Sequence, residues 1–334
     1  MIGYYAHHHG SGHVTRATSI AGALGEPLTV LSSRERPARS TVDWLTLPLD
    51  TEGADGADNR SGIRSDATAN GVLHWAPIGV RGMTDRMAMI AEWVARERPR
   101  LFVVDVSVEV ALFVRLLGVE VVVMAMPGER VDGPHDLVYR VADRIIAPWS
   151  QRVYDPEWLR SHAAKTSYVG VVSRFDGRDR PVVDTTPEVL VLGGAGGTAL
   201  TAADIDAAAD ANPRYVWRAA GVDAQSWVED VWPLLCSASV VVTHAGQNAI
   251  ADVAAARVPA VVIPQERPFG EQVATATALG RAGVAVTTER WPTPERWGPL
   301  LDAAAERGGN AWDAVRQSGA AARAAAALSS SAGR

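Results

Sequence analysis

Three glycine-bearing segments hold the residues whose types and spacing suit chemistry. The first, HHHGSGHVTRA at residues 7–17, packs four histidines and two glycines into eleven positions. Imidazole takes and gives protons near neutral pH, so a histidine such as His13 is a candidate general base. The second, GGAGGT at 193–198, follows the apolar run EVLVL. Gly194 and Gly197 would let the backbone approach a ligand closely, and Thr198 adds a hydroxyl. The third, THAGQNAIAD at 243–252, sets His244, Gly246, Gln247 and Asn248 at the start of an expected helix. Free N–H groups and the positive dipole end there suit a phosphate. Asp252 stands four residues after Asn248, hence on the same helix face, where a carboxylate can accept both hydroxyls of a ribose. Each segment also has a purely structural reading. GGAGGT can be a tight strand-to-helix turn without ligand, and the third segment a capped helix start followed by a solvated aspartate.

The elements that must position these loops alternate along the whole chain. Apolar strand candidates are IGYYAH, PLTVLSS, WLTLPL, LFVVDV, VEVVVMAM and RIIAPW, then EVLVLGG, RYVWRAA, SVVVTHA, PAVVIPQ and GVAVTT. Amphipathic stretches separate them, the pattern of parallel sheets covered by helices. The polar segment SRFDGRDRPVVDTTP divides the two groups and reads as a linker. The expectation is therefore an α/β chain of two Rossmann-like, doubly wound domains, 1–172 and 188–334, joined by a linker at 173–187. The Ala-rich last helix is expected to pack back on the first domain. The stretch DTEGADGADNRSGIRSDATANG (50–71) reads as a mobile loop.

Composition removes several classes. With 47% hydrophobic and 21% charged residues the chain is globular, and a net charge of -6 gives no reason to expect nucleic acid. Cys236 is the single cysteine, which rules out an intramolecular disulfide and a cysteine-rich zinc site. Lys165 is the only lysine and lies outside any P-loop spacing. The most apolar window is interrupted by Glu109, Arg115 and Glu120, so no transmembrane segment is expected. With no leader in front of the first strand, the chain reads as soluble and cytoplasmic. His7, His8 and His9 are a poor metal site, because neighbours on a strand point to opposite faces and no acidic partner is near in sequence. They are expected to line a cleft or cap a helix, and no metal is expected. A dehydrogenase is disfavoured because no strand is followed by G-x-G-x-x-G with an acid about twenty residues on.

The segment THAGQNAIAD, followed by IPQERPFGEQVATATAL, resembles the donor-binding region of GT-B glycosyltransferases. It looks like the MurG-type N-acetylglucosaminyltransferases and the UDP-glycosyltransferases, whose motif runs H-C-G-x-N-S-x-x-E and later P-x-x-x-D-Q. With GSGHVTRA in front and GGAGGT midway, the resemblance covers nearly the whole chain. It implies a GT-B fold, two domains facing across a cleft, the first taking the acceptor and the second the nucleotide sugar. By this resemblance His244, Gly246, Gln247 and Asn248 would contact the pyrophosphate and Asp252 the ribose. Glu271 and Gln272 would hold hydroxyls of the transferred sugar, and Trp227 and Val228 would border the nucleobase. Gly12, Gly194, Gly197 and Thr198 would line the cleft near the phosphates. His13 matches the base of the UDP-glycosyltransferases, with Asp105, at the end of LFVVD, as its orienting carboxylate; a helix N-cap is the other reading of Asp105. Retaining relatives of the commonest type carry E-x7-E, whereas His244 stands eight residues before Asp252, which favours inversion.

The reaction so implied is transfer of a sugar from a nucleoside diphosphate sugar, UDP- or dTDP-linked, to an acceptor hydroxyl, with no cofactor. Departures from the family pattern are Asp for Glu at 252, Ala249 for Ser or Thr, and Ala195–Gly196 for Ser-Gln in the MurG-type glycine loop. They bear on donor identity and on activity itself. Two alternatives remain. GSGHVTRA also resembles GSGHVMR of nucleotide-sugar hydrolases, and 2-epimerases share the fold, so hydrolysis or epimerisation of the same ligand is one. A non-catalytic sugar-nucleotide-binding protein is the other. The acceptor, a small molecule or a lipid-linked one, is not fixed by the sequence. Trp75, Met83 and Met87 could face it, though packing explains methionines equally well.

Overall fold

The computed structural model describes residues 1–53, 66–181, 187–194 and 197–330. A first sheet comprises β1 (Ile2–Ala6), β2 (Leu28–Ser32), β3 (Asp43–Thr46), β4 (Leu101–Asp105), β5 (Glu120–Met124), β6 (Arg144–Ala147) and β7 (Thr166–Tyr168). Its strands are parallel, in the order β3-β2-β1-β4-β5-β6-β7. A second parallel sheet comprises β8 (Glu188–Leu192), β9 (Val216–Ala220), β10 (Val240–His244), β11 (Ala260–Ile263) and β12 (Val286–Thr287), in the order β12-β11-β10-β8-β9. The α-helices among the described residues are α1 (Gly12–Ala23), α2 (Arg81–Glu97), α3 (Val108–Leu116), α4 (Gly133–Val141), α5 (Glu157–Arg160), α6 (Ala202–Ala211), α7 (Trp232–Ser237), α8 (Gln247–Ala256), α9 (Glu271–Arg281), α10 (Trp297–Arg307) and α11 (Ala320–Ser329).

Strands β1, β2, β4 and β8 are buried along their whole length. Helices cover both faces of such sheets, which is why these strands read as unbroken apolar runs. Side chains still alternate between two cores. Tyr4 packs with Ile2, Val14 and Ile20 on one face, and Tyr5 with Ile90, Trp93 and Phe102 on the other. Strand β7 was not expected. Its three residues, TSY, are only partly buried and are held at the sheet edge by pairing with β6.

Strand order fixes where ligands can approach. The winding direction reverses between β1 and β4 in the first sheet and between β8 and β10 in the second. Loops leaving adjacent strands at such a reversal part to opposite faces and leave a crevice at their carboxyl ends. The four loops concerned begin at His7, Val106, Gly193 and Ala245, and include all three glycine-bearing segments.

The chain returns to the first sheet at its end. Ala320, Ala324 and Leu328 of α11 are fully buried against a core that includes Val14 and Ile20 of α1. Arg144 caps the helix end, donating to the Ser330 carbonyl at 2.8 Å. In the segment read as a linker, Ser173 and Phe175 are buried and anchor an otherwise mostly exposed stretch. Phe175 lies on Trp232 with ring centroids 4.9 Å apart, and Arg180 donates to the carbonyls of Cys236 and Ala256. Residues 182–186 of that segment, and 54–65 of the loop expected at 50–71, lie outside the described residues. No helix among the described residues is long and apolar enough to cross a membrane.

Because α11 belongs to the first core, Leu328→Ala should weaken the amino-terminal half although it lies near the chain's end. A buried Leu→Ala change costs about 2–5 kcal/mol, readable as a lowered urea midpoint at unchanged slope.

Candidate functional site

The site grows from the two loops at the first sheet's switch point. Ala6 at the end of β1 is in register with Asp105 at the end of β4. Helix α1 starts at Gly12, which turns His13 back over that sheet edge. His13 Nδ1 lies 2.9 Å from Asp105 Oδ1. A carboxylate oxygen can only accept, so Nδ1 carries the proton and Nε2 is left with its lone pair. The capping role open to Asp105 belongs to Ser107, whose Oγ accepts from Val110 N–H at 3.1 Å. Between them Val106 adopts φ +66°, a left-handed conformation that a β-branched residue enters only under constraint. The strain lies where β4 hands over from the buried carboxylate to the helix cap.

Asp105 is wholly buried and accepts four hydrogen bonds. Oδ1 takes His13 and Arg16 Nη2 (2.7 Å); Oδ2 takes Arg16 Nε (2.9 Å) and the Tyr4 hydroxyl (2.8 Å). Burial pushes this carboxyl up, but the Arg16 guanidinium, with His13, outweighs burial and holds it well below the usual carboxylate range. Arg16 was not anticipated as a site residue. Its position one helical turn after His13 was the available signal.

The second sheet presents its own switch-point loops to this edge. Helix α8 begins at Gln247 with Gly246 as N-cap and no side-chain cap, and α1 also begins without one. The two helix starts meet: a Cβ added to Gly12 would lie 3.6 Å from Asn248 Oδ1. Gln247 Oε1 accepts from Arg16 Nη1 at 2.7 Å across the gap. His244 Nδ1 donates to the Ile263 carbonyl at 3.0 Å, so Nε2 accepts from the Thr198 hydroxyl at 2.9 Å. Both ring nitrogens are thus engaged, and burial lowers the pKa of this imidazole, keeping it neutral. Thr198 also accepts from Leu200 N–H, and Gly197 has φ +76°. Ala195 and Gly196 lie outside the described residues. Gly193 is required as glycine, since a Cβ there would meet the Gly221 carbonyl at 2.2 Å.

Gln272 is buried, with Oε1 accepting from Gln265 N–H at 3.0 Å and Nε2 facing Gly246. Glu271 pairs with Arg130 of the first domain at 3.5 Å. Beside it Phe269, at φ +59°, lies under the Arg130 guanidinium at 4.4 Å, and its carbonyl accepts from Glu129 N–H at 2.8 Å. Gly128 meets it so closely that a Cβ would come within 2.3 Å of the Phe269 carbonyl. Trp227 and Val228 are exposed on the loop after β9.

Among the described residues, two groups containing histidine each bring three possible metal-ligand atoms within 4.8 Å of one another. His7 stacks on His8 and both rings are tilted against His9, with ring centroids 4.4–4.8 Å apart, and burial with the neighbouring imidazoles drives the His7 pKa down to about 2. In the second group Asp132 lies 3.3 Å from His74 Nε2 and 2.8 Å from His135 Nδ1, while Arg130 stands 3.3 Å from the other nitrogen of His135. That guanidinium opposes a cation at His135.

Residues 207–295 match the family profile described as "Glycosyltransferase family 28 C-terminal domain". Among curated proteins no sequence matches the chain. Solved structures match it over almost its full length. The calicheamicin glycosyltransferase CalG4 is 16% identical with a TM-score of 0.67, covering 98% of this chain and 97% of that one. The spinosyn rhamnosyltransferase SpnG, solved with thymidine diphosphate, is 15% identical with a TM-score of 0.65, covering 96% of each. MurG from Acinetobacter baumannii is 14% identical with a TM-score of 0.57, covering 97% of each. The chain therefore has the GT-B fold, two parallel α/β sheets with helices, and resembles GT-B glycosyltransferases.

Asp252 lies on the expected helix, but its carboxylate is 5% exposed and turned to the segment between the sheets. Ser173 Oγ donates to Oδ1 at 2.9 Å, and Arg174 Nε and Nη2 reach Oδ2 at 3.1 and 3.0 Å. Burial raises its pKa to about 6 against the pull of Arg174 and Ser173. Folded protein then binds this proton more tightly than unfolded chain. Stability falls as pH rises from about 4 to about 6 and the full cost persists above. Asp252→Asn should therefore gain stability over wild type by roughly 2–3 kcal/mol between pH 4 and pH 7.5. Urea titrations at the two pH values check this; a constant difference would contradict it.

Proposed function

We propose that the protein is a glycosyltransferase that moves a sugar from a UDP- or dTDP-sugar to an acceptor hydroxyl, with inversion, without a metal, and with His13 as general base. The observation that carries this reading is the meeting of His13, held by Asp105, with the uncapped start of α8. One wall offers a free imidazole lone pair and the other unpaired N–H groups, the two things an acceptor hydroxyl and a diphosphate leaving group require. The family match to the second domain and the thymidine diphosphate carried by SpnG support the donor class.

In this mechanism His13 Nε2 takes the acceptor proton as the acceptor oxygen attacks the anomeric carbon. The bond from that carbon to the β-phosphate oxygen breaks, and its electron pair leaves with the diphosphate. The N–H groups at the start of α8 meet the growing negative charge, and Asp105 faces the imidazolium that forms. His244 acts through its ring face and its hold on Thr198, since both ring nitrogens are engaged. Glu271 and Gln272, in the first turn of α9, would take sugar hydroxyls by exchanging their present partners Arg130 and Gln265. The acceptor side, with its stacked imidazoles and the loop 127–135, is assigned to a small aglycone. CalG4 is the calicheamicin glycosyltransferase, and the spinosyn rhamnosyltransferase SpnG has also been solved with spinosyn aglycone.

A thermal-shift panel of UDP, dTDP, GDP, ADP and NAD tests the donor class. At a hundredfold excess over its dissociation constant a ligand adds about 2.7 kcal/mol to apparent stability. One nucleoside diphosphate should shift the transition, equally in His13→Gln. That variant should lose transfer by about 10²–10⁴-fold. No shift with any nucleotide overturns the reading, and release of free sugar at full rate without acceptor makes the protein a hydrolase.

A further inference from the structure

Arg16 does three things at once. It is 3% exposed, so its charge must be matched by partners in the fold. Nε and Nη2 form a fork on the two oxygens of Asp105, which fixes the plane of that carboxylate and with it the direction in which Oδ1 meets His13. The remaining nitrogen, Nη1, leaves the first domain and donates to Gln247 Oε1 at 2.7 Å in the second. Nη2 also lies 3.2 Å from His13 Nδ1 and 3.6 Å from Met126 Sδ. A lysine could not make both ends of this link, because the two functions need nitrogens held in one plane.

We propose that Arg16 is a positioning residue that couples the seating of α8 against the first domain to the carboxylate that orients His13. The inference rests on the reading of His13 as the base. The amide oxygen of Gln247 is committed to Arg16, and only its Nε2 amide could donate to a diphosphate. When α8 is in place, Arg16 is held from both sides and the fork on Asp105 is rigid. When the cleft opens, Nη1 loses its acceptor, the guanidinium can turn, and His13 loses its fixed direction. The base is thus aligned only while the helix that receives the leaving group is docked, which guards a reactive donor against attack in an open cleft.

The test is a series at Gln247 with the donor selected by the nucleotide panel. Gln247→Met removes the acceptor at nearly constant size, and Gln247→Glu restores an acceptor of greater strength. The link predicts that Met lowers kcat about tenfold with the donor KM within about threefold, and that Glu recovers most of the turnover. A Gln247 that instead contacts the diphosphate predicts the opposite order, with Glu worse than Met through charge repulsion and the loss falling on KM. That result overturns the proposal, as does wild-type kcat in the Met variant. His13→Ala at full rate would instead overturn the base assignment, so the two failures are distinguishable. A readout without substrate uses ¹⁵N-histidine-labelled protein, with the His13 signals identified by their loss in His13→Gln. Wild type and Gln247→Glu should hold one Nδ1-protonated tautomer, and Gln247→Met should show nitrogen shifts averaged between tautomers. Identical spectra in all three overturn the coupling even where no donor is turned over.

Discussion

The buried Asp105–Arg16 pair is the contact on which the amino-terminal half of the site depends. A carboxylate at the end of a central parallel strand, wholly shielded from water, is costly unless every lone pair is used. Here all are used, by Tyr4 from β1, and by His13 and Arg16 from one turn of α1. The requirement propagates outward. Helix α1 must start at Gly12 and no later for His13 and Arg16 to fall together on Asp105. Val106 must take a left-handed conformation so that the chain can leave Asp105 pointing inward and reach Ser107 in time to cap α3. Saturating the carboxylate with a guanidinium also changes the chemistry. The pair beside His13 is close to neutral overall, so the imidazole is oriented by a dipolar contact rather than driven by an uncompensated negative charge.

The second constraint is the double crossing between the sheets. The chain passes from the first to the second near Val171–Phe175 and comes back before α11, whose buried alanines and Leu328 complete the first core. The two crossings touch. A Cβ on Gly170 would meet the Arg316 carbonyl at 2.1 Å, and Val171 N–H donates to the Val315 carbonyl. The chain thus ties the two sheets together twice at one place. Arg16–Gln247 and Arg130–Phe269 also join the two halves.

Much of this was legible in the sequence because parallel sheets write plain signals. Strands buried on both faces are short runs of valine, leucine and isoleucine, and the glycine-bearing loops follow them directly. Strand β7 escaped because TSY is an edge strand whose pairing, not its composition, makes it a strand. Arg16 escaped for a different reason. An arginine on a helix is ordinarily a solvated residue, and only the three-dimensional meeting of β4 with α1 turns it inward. Gln247 was read from its place at a helix start, and the partner that occupies its side chain comes from 231 residues away. For Asp252 the helix and its face were read from spacing, but the residues that hold it, Ser173 and Arg174, belong to a stretch that looks like a linker.

That last difference bears on the proposed nucleotide site. An ionised carboxylate offers about four acceptor positions. Ser173 and the two nitrogens of Arg174 take three of those at Asp252, which leaves one. Two ribose hydroxyls cannot then both be received by this group while it stays paired. Either one hydroxyl bonds to it and the other finds a different acceptor, or Arg174 swings away. The second path is open in a way that has no counterpart at Asp105. The Arg174 side chain is 45% exposed, whereas that of Arg16 is 4% exposed. The two acids at the two ends of the site are therefore built oppositely. Asp105 is saturated and enclosed, whereas Asp252 is held in part by an arginine that solvent already reaches.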